Sequence, residues 1–149
     1  MKIFDALRNI TILAIETAPF IYYVENHPVY SNKINHIFQI IEANGIKITT
    51  SAITLTETLM KPMKVGDLQV ENNYRELLTR HKTIQLFSVT PNIAENAARL
   101  RARYNLRTPD ALHIATAIES KSDAFLTNDL ALKRIVEVRV LILDELEIN

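Results

Sequence analysis

A chain of 149 residues with 48% hydrophobic content is long enough to bury a sizeable core and too apolar to be disordered. Its 17 basic and 17 acidic residues cancel, which argues against a strongly basic nucleic-acid binder and leaves room for a local basic face. The absence of cysteine excludes disulfides, thiolate zinc sites and thiol nucleophiles, and no apolar run approaches the roughly 20 residues that span a bilayer.

The N-terminal MKIFDALRN lacks the plan of a signal peptide, and there is no repeat or linker rich in Ser and Pro. The expectation is one domain over residues 1–149, cytoplasmic and away from membranes. Met1 to Arg8 is read as a short leading helix. Ile10 to Ile15 (ITILAI) is a β-branched apolar run suited to a strand buried on both faces. It stops at Glu16. Phe20 to Glu25 is a helix turn, and Tyr30 to Ala43 a helix with Ile34, Ile37, Phe38 and Ile41 on one side, ended by Gly45. Ile46 to Thr50 is a second strand. Ser51 is expected to cap the next helix, which carries Ile53, Thr54, Glu57 and Met60 and ends at Pro62.

Asp67 to His81 reads as an amphipathic helix with Leu68, Leu77 and Leu78 inward. Ile84 to Val89 is a third strand and Asn92 to Tyr104 a helix with Ile93, Ala97 and Leu100 inward. Pro109 to about Lys121 is the next helix, with Thr108 as its expected cap, Pro109 at the first helical position and Asp110 at the second, in the positive end of the helix dipole. Ala124 to Thr127 is a fourth strand, then come Asn128, Asp129 and a short helix through Ile135. Val138 to Leu143 is the last strand.

Strands alternating with helices predict an α/β fold, a mostly parallel sheet of about five strands with helices on both faces. In such folds ligands bind outside the carboxyl ends of the strands. Glu16 ends the first strand, Glu57 follows the second, Asp110 opens the helix leading to the fourth, and Asp129 follows that strand in TND. Thr17, Thr54, Thr127 and Asn128 accompany them. Four carboxylates in one pocket repel one another, and a hard divalent cation removes that penalty. Oxygen ligands without cysteine point to Mg²⁺ or Mn²⁺, which can serve hydrolysis at a phosphate. Acids at helix starts are also ordinary in α/β proteins, so spacing alone leaves both readings open.

The segments IETAPFIYYVE (Ile15 to Glu25), TSAITLTETL (Thr50 to Leu59), LRTPDALHIATA (Leu106 to Ala117) and AFLTNDLAL (Ala124 to Leu132) decide between them. In this order they resemble PIN domain ribonucleases, of the VapC-like branch of bacterial toxin–antitoxin pairs. The resemblance implies a three-layer α/β/α fold and Mg²⁺- or Mn²⁺-dependent endonucleolytic cleavage of RNA. It maps metal-binding and catalytic acids onto Glu16, Glu57, Asp110 and Asp129, and an accompanying catalytic hydroxyl onto Thr127. It further implies a cognate antitoxin and a homodimer. The family has Asp where this chain has Glu16.

Other features have bland readings beside the functional ones. His113, one turn after Asp110, is expected to be a partly buried, hydrogen-bonded helix residue rather than one that touches the pocket. Arg99, Arg101, Arg103 and Arg107 form the densest basic cluster. Within it Arg99 and Arg103 share a helix face that suits either phosphates or solvent. Tyr22 and Tyr23 suit packing or base stacking, and Lys61 and Lys64 an RNA path or an ordinary turn. Two competing functions are a receiver-type signalling domain, which lacks its adjacent acids and its late Lys here, and a PIN-like module that binds RNA or protein without cutting.

Overall fold

Residues 12–15 form the strand on which the sheet is built. In the computed structural model, which describes residues 1–148, β1 (Ile12–Ile15) pairs in parallel with β2 (Lys47–Ser51) and with β4 (Ala124–Thr127). β3 (Ile84–Phe87) lies outside β2 and β5 (Val140–Ile142) outside β4, so the sheet is wholly parallel in the order β3-β2-β1-β4-β5. Register sets Leu13 beside both Ile48 and Ala124, and Ile15 beside Leu126. The amino end of β1 is pinned by Asp123, whose carboxylate accepts the N–H groups of Thr11 at 2.7 Å and Ile12 at 2.9 Å.

The helices, in chain order, are α1 (Ile3–Ala6), α2 (Thr17–Val24), α3 (Ser31–Ala43), α4 (Ile53–Val65), α5 (Leu68–Arg75), α6 (Pro91–Tyr104) and α7 (Thr108–Glu119). Alternation along β1 and β4 divides the core between two faces. Leu13, Ile15 and Leu126 pack with Ile3 of α1, Phe20 of α2 and Ile34, Ile37 and Ile41 of α3. Ala14 and Phe125 pack on the other face with Ile93, Ala97 and Leu100 of α6 and Ile114 of α7. The result is the expected three-layer α/β/α arrangement. No helix among the described residues is long and apolar enough to cross a membrane.

Four local expectations are corrected. Helix α2 starts at Thr17 rather than Phe20: Pro19 falls in its first turn, where a missing N–H leaves no helix bond broken. Helix α4 continues through a buried Pro62 to Val65. The stop is Gly66, which takes the left-handed conformation (φ 73°), and the Asp67 N–H then donates back to the Pro62 carbonyl at 2.9 Å. Helix α7 starts at Thr108, whose side chain makes no cap; Arg107 holds the cap position in extended backbone. Asp110 is therefore the third helical residue. Finally, Leu68 is 68% exposed, whereas Tyr74 is fully buried and Leu78 nearly so. Asp67 caps α5 by accepting the Val70 N–H at 3.2 Å, and the helix widens into a π turn over Glu76–Arg80, which turns Leu78 into the core. The Tyr74 hydroxyl donates to Glu25 at the end of α2, so a buried polar group is satisfied.

These placements separate two substitutions. Phe125→Ala should lower the unfolding free energy by about 3–5 kcal/mol, the usual cost of emptying a buried aromatic site. Leu68→Ala should change it by no more than about 0.5 kcal/mol. Urea unfolding followed by circular dichroism reads both, and a large loss at Leu68 would contradict its exposed position.

Candidate active site

Because all five strands run the same way, their carboxyl ends share one edge. Glu16 follows β1 directly, and its N–H extends the ladder by donating to the Leu126 carbonyl at 3.1 Å. The Glu16 side chain turns into a half-buried position beside Thr127, whose hydroxyl bonds to it. Thr127 is itself oriented by the Asp129 N–H, which donates to its Oγ1 at 3.0 Å. Burial pushes the Glu16 carboxyl above its ordinary range, and the charges of Asp110 and Asp129 push it further; Thr127 and His113 oppose the shift. The Oε2 atom of Glu16 is buried and has no hydrogen-bond partner.

Glu57, on α4, meets a different environment. His113 on α7 lies with Nε2 2.7 Å from Glu57 Oε1, and the Thr17 hydroxyl donates to the same oxygen at 2.8 Å. The His113 bond, followed by that from Thr17, holds the Glu57 carboxyl below its ordinary range. Thr17 Oγ1 also lies 3.1 Å from Thr54 Oγ1 and 3.3 Å from His113 Nε2. Thr54 continues the chain of hydroxyls to Thr50 at 3.0 Å, and Thr50 donates to the Ile15 carbonyl at 2.8 Å. This ladder fixes α4 against the end of β1.

Asp110 sits in the first turn of α7 with its side chain 11% exposed. Arg107 grips it with a two-pronged fork, Nε to Oδ2 at 3.0 Å and Nη2 to Oδ1 at 3.3 Å. Asp129 caps the short 3₁₀ turn Leu130–Arg134, its Oδ1 accepting the Ala131 N–H at 2.9 Å. Asn128 Oδ1 accepts the Asp144 N–H at 2.9 Å and steadies the same loop.

The five expected site residues thus lie around one end of the sheet, linked through Thr127, His113 and Arg107. Among the described residues, however, no three acidic or histidine side chains converge closely enough to hold an ion as they stand. The reason is local: Arg107 occupies Asp110, His113 and Thr17 hold Glu57, and Asp129 caps its own turn. Of the buried oxygens of these four carboxylates, Glu16 Oε2 is without a partner among the described residues. A buried carboxylate oxygen with no donor, in the field of two more carboxylates, is suited to a hard cation, so the donor set fits Mg²⁺ or Mn²⁺.

Several other candidates resolve to packing. Tyr22 stacks on Tyr30 with ring centroids 4.6 Å apart, and Tyr23 meets Phe38 edge-on at 4.7 Å. Arg99 pairs with Glu95 and Arg103 with Glu137, each at 3.5 Å. Two clefts that share Tyr23, Leu77 and His81 in their walls contain none of the four carboxylates. His113 is hydrogen-bonded as expected but more deeply buried, 4% exposed at its side chain, and its partner is Glu57, which brings it to the carboxylates against expectation. The contact of Arg107 with Asp110 was available from their spacing of three at a helix start. Nothing in the local sequence announces that Thr17, Glu57 and His113 meet.

The model of the PIN domain family matches residues 14–138. The chain belongs to the PIN domain family. No curated protein matches the sequence significantly. Among solved structures, the PIN domain is similar to the Rickettsia felis VapBC2 structure, bound to a DNA fragment from its promoter (TM-score 0.69, 16% identity, 88% of this chain and 98% of that one). It is also similar to a toxin–antitoxin complex from Klebsiella pneumoniae (TM-score 0.67, 23% identity, 88% and 97%). A third is Mycobacterium tuberculosis VapC20, described as a sarcin–ricin loop cleaving toxin (TM-score 0.65, 15% identity, 85% and 98%). At these identities the likeness is one of fold.

The raised Glu16 pKa has a consequence for the metal-stripped protein. When folding raises a carboxyl pKa, the folded state holds its proton more tightly than the unfolded chain. Stability then falls as pH rises through the unfolded value, here near 4.5, and reaches its full deficit above the folded value. Glu16→Gln removes the charge and keeps an acceptor for Thr127. In EDTA the variant should melt above the wild type at pH 8, with the gap closing toward pH 4. A gap that stays constant with pH would show that Glu16 carries no such penalty.

Proposed function

We propose that this PIN domain is a divalent-metal-dependent endoribonuclease, the toxin of a toxin–antitoxin pair. The observation that carries the reading is the buried, partnerless Oε2 of Glu16 in the field of Asp110 and Asp129. Glu16, Asp110 and Asp129, with Glu57 beside them, are the residues that would hold Mg²⁺ or Mn²⁺. Such an ion, when bound, supplies a positive charge against developing phosphate charge and lowers the proton affinity of water. Thr127 orients Glu16. His113 and Thr17 hold the Glu57 carboxyl below its ordinary range, so Glu57 stands as a charged ligand and is unsuited to donate a proton.

The substrate class is an RNA phosphodiester. VapC20, described as cleaving the sarcin–ricin loop, supports that choice, and the toxin–antitoxin complexes of the same fold support an antitoxin as partner. Assembly as a homodimer in the cytoplasm completes the reading. One observation favours a competing function: no three ligands are already gathered, and Glu16 stands where the family has Asp, as in a PIN module that binds without cutting.

Metal titration separates the two. Millimolar Mn²⁺ should raise the melting temperature, by the equivalent of about 2.7 kcal/mol at a hundredfold excess over Kd, and Asp129→Ala should remove most of the effect. Asp110→Asn should lose at least about 100-fold in RNA cleavage while remaining folded, the scale expected when a charge-stabilising group is removed. Glu16→Asp should stay within about tenfold of wild type, a barrier change of ~1.4 kcal/mol, and Glu16→Gln should lose nearly all activity. A melting curve indifferent to Mn²⁺, or wild-type cleavage by Asp110→Asn, would overturn the enzyme reading.

A further inference from the structure

Arg107 is a cation whose charge reaches all four carboxylates. Its fork holds Asp110, its charge is coupled to Asp129 and Glu16, and it helps keep Glu57 ionised. It offsets part of the negative charge that a metal ion would also offset. Yet it is poorly built as a permanent structural pair. Its side chain is 78% exposed, and exposed ion pairs are weak because water and salt screen them.

The main chain around Arg107 is held independently of that side chain. The Arg107 carbonyl accepts the Ala111 N–H at 3.0 Å, closing the first turn of α7. The preceding residue, Leu106, is buried, and its carbonyl accepts Arg101 Nε at 2.9 Å. The guanidinium can therefore leave Asp110 without moving the helix start, and the stem stays anchored at the edge of the site.

With both Asp110 oxygens engaged by Arg107, a metal ion at Asp110 would face a guanidinium of like charge sharing the same carboxylate, so the two cations compete. A small divalent cation has the stronger claim on a hard carboxylate oxygen. We infer that Arg107 is a placeholder cation, yielding Asp110 to the metal and then gripping a phosphate of the bound RNA. A released guanidinium carries paired N–H donors spaced for two phosphate oxygens, a match that lysine lacks. The inference rests on the nuclease reading and adds to it a substrate-binding residue and a competition between metal and arginine.

The test measures Mn²⁺ binding to metal-stripped protein by titration calorimetry, with no RNA present, and then single-turnover cleavage of a short RNA at saturating Mn²⁺. Arg107→Ala should bind Mn²⁺ about two- to fivefold more tightly than wild type, the range expected on removing an exposed competitor. It should cleave about tenfold or more slowly, as expected on losing charge-assisted bonds to phosphate. Arg107→Lys should fall between wild type and Arg107→Ala in metal affinity and recover only part of the cleavage rate. Unchanged or weaker Mn²⁺ binding by Arg107→Ala would overturn the inference alone, as would wild-type cleavage by that variant. No Mn²⁺ binding by the wild type would overturn the metal-site reading and this inference together.

Discussion

A parallel strand pair brings like ends together, and β1 makes two such pairs, with β2 and with β4. Parallel neighbours need a crossover between them, so each strand is followed by a segment that carries the chain back across a face of the sheet. One consequence is the division of the core, with Leu13 and Ile15 on one face and Ala14 on the other. The second is chemical. Every strand delivers its next residue to the same edge, and α7, running back toward β4, begins there too. Glu16, Glu57, Asp110 and Asp129 come from four separate stretches of chain, and this constraint alone makes them neighbours.

Neighbouring acids do not share one environment, and the structure differentiates them through their partners. Glu16 is desolvated and short of donors, which raises its proton affinity. Glu57 is surrounded by a histidine and a threonine, which lowers it. Asp110 is neutralised by a fork from the residue three before it. Asp129 is spent in part on a backbone turn. For Glu16 and Glu57 the same functional group is thereby set to opposite protonation behaviour by burial and hydrogen bonding, with no change of residue type.

Much of this was legible in the sequence, because the strands here are apolar runs bounded by polar residues. Ala124–Thr127 is read to the residue, and the acids are placed by the rule that sites lie at the carboxyl edge. The misreadings have identifiable physical causes. Pro19 and Pro62 are helix breakers only where an N–H is needed or the turn cannot accommodate the ring. One lies in a first turn, and the other is followed by a left-handed glycine that performs the actual termination. Leu68 satisfied a helical periodicity that the π turn interrupts. Tyr74 is buried because its hydroxyl finds Glu25, 49 residues away, and no local pattern carries that information. The Thr17, Glu57 and His113 contact is hidden for the same reason: it joins three helices whose packing is a tertiary outcome.

The double pairing of β1 also sets an order of events during synthesis. β1 is the first of these five strands in the chain, yet it ends in the middle of the sheet, with Leu13 beside Ala124. At about 5–20 residues per second on a ribosome, one side of this apolar strand stays unpaired for several seconds while the remaining chain is built. A chain that lacks β4 leaves the apolar residues of β1 without their partner on that side, the kind of surface that invites association with other chains. Completion waits for β4, and the same late event brings Asp129 to the end of β1. Closure of the sheet around β1 and placement of Asp129 therefore depend on the same strand, and a chain truncated before β4 lacks both.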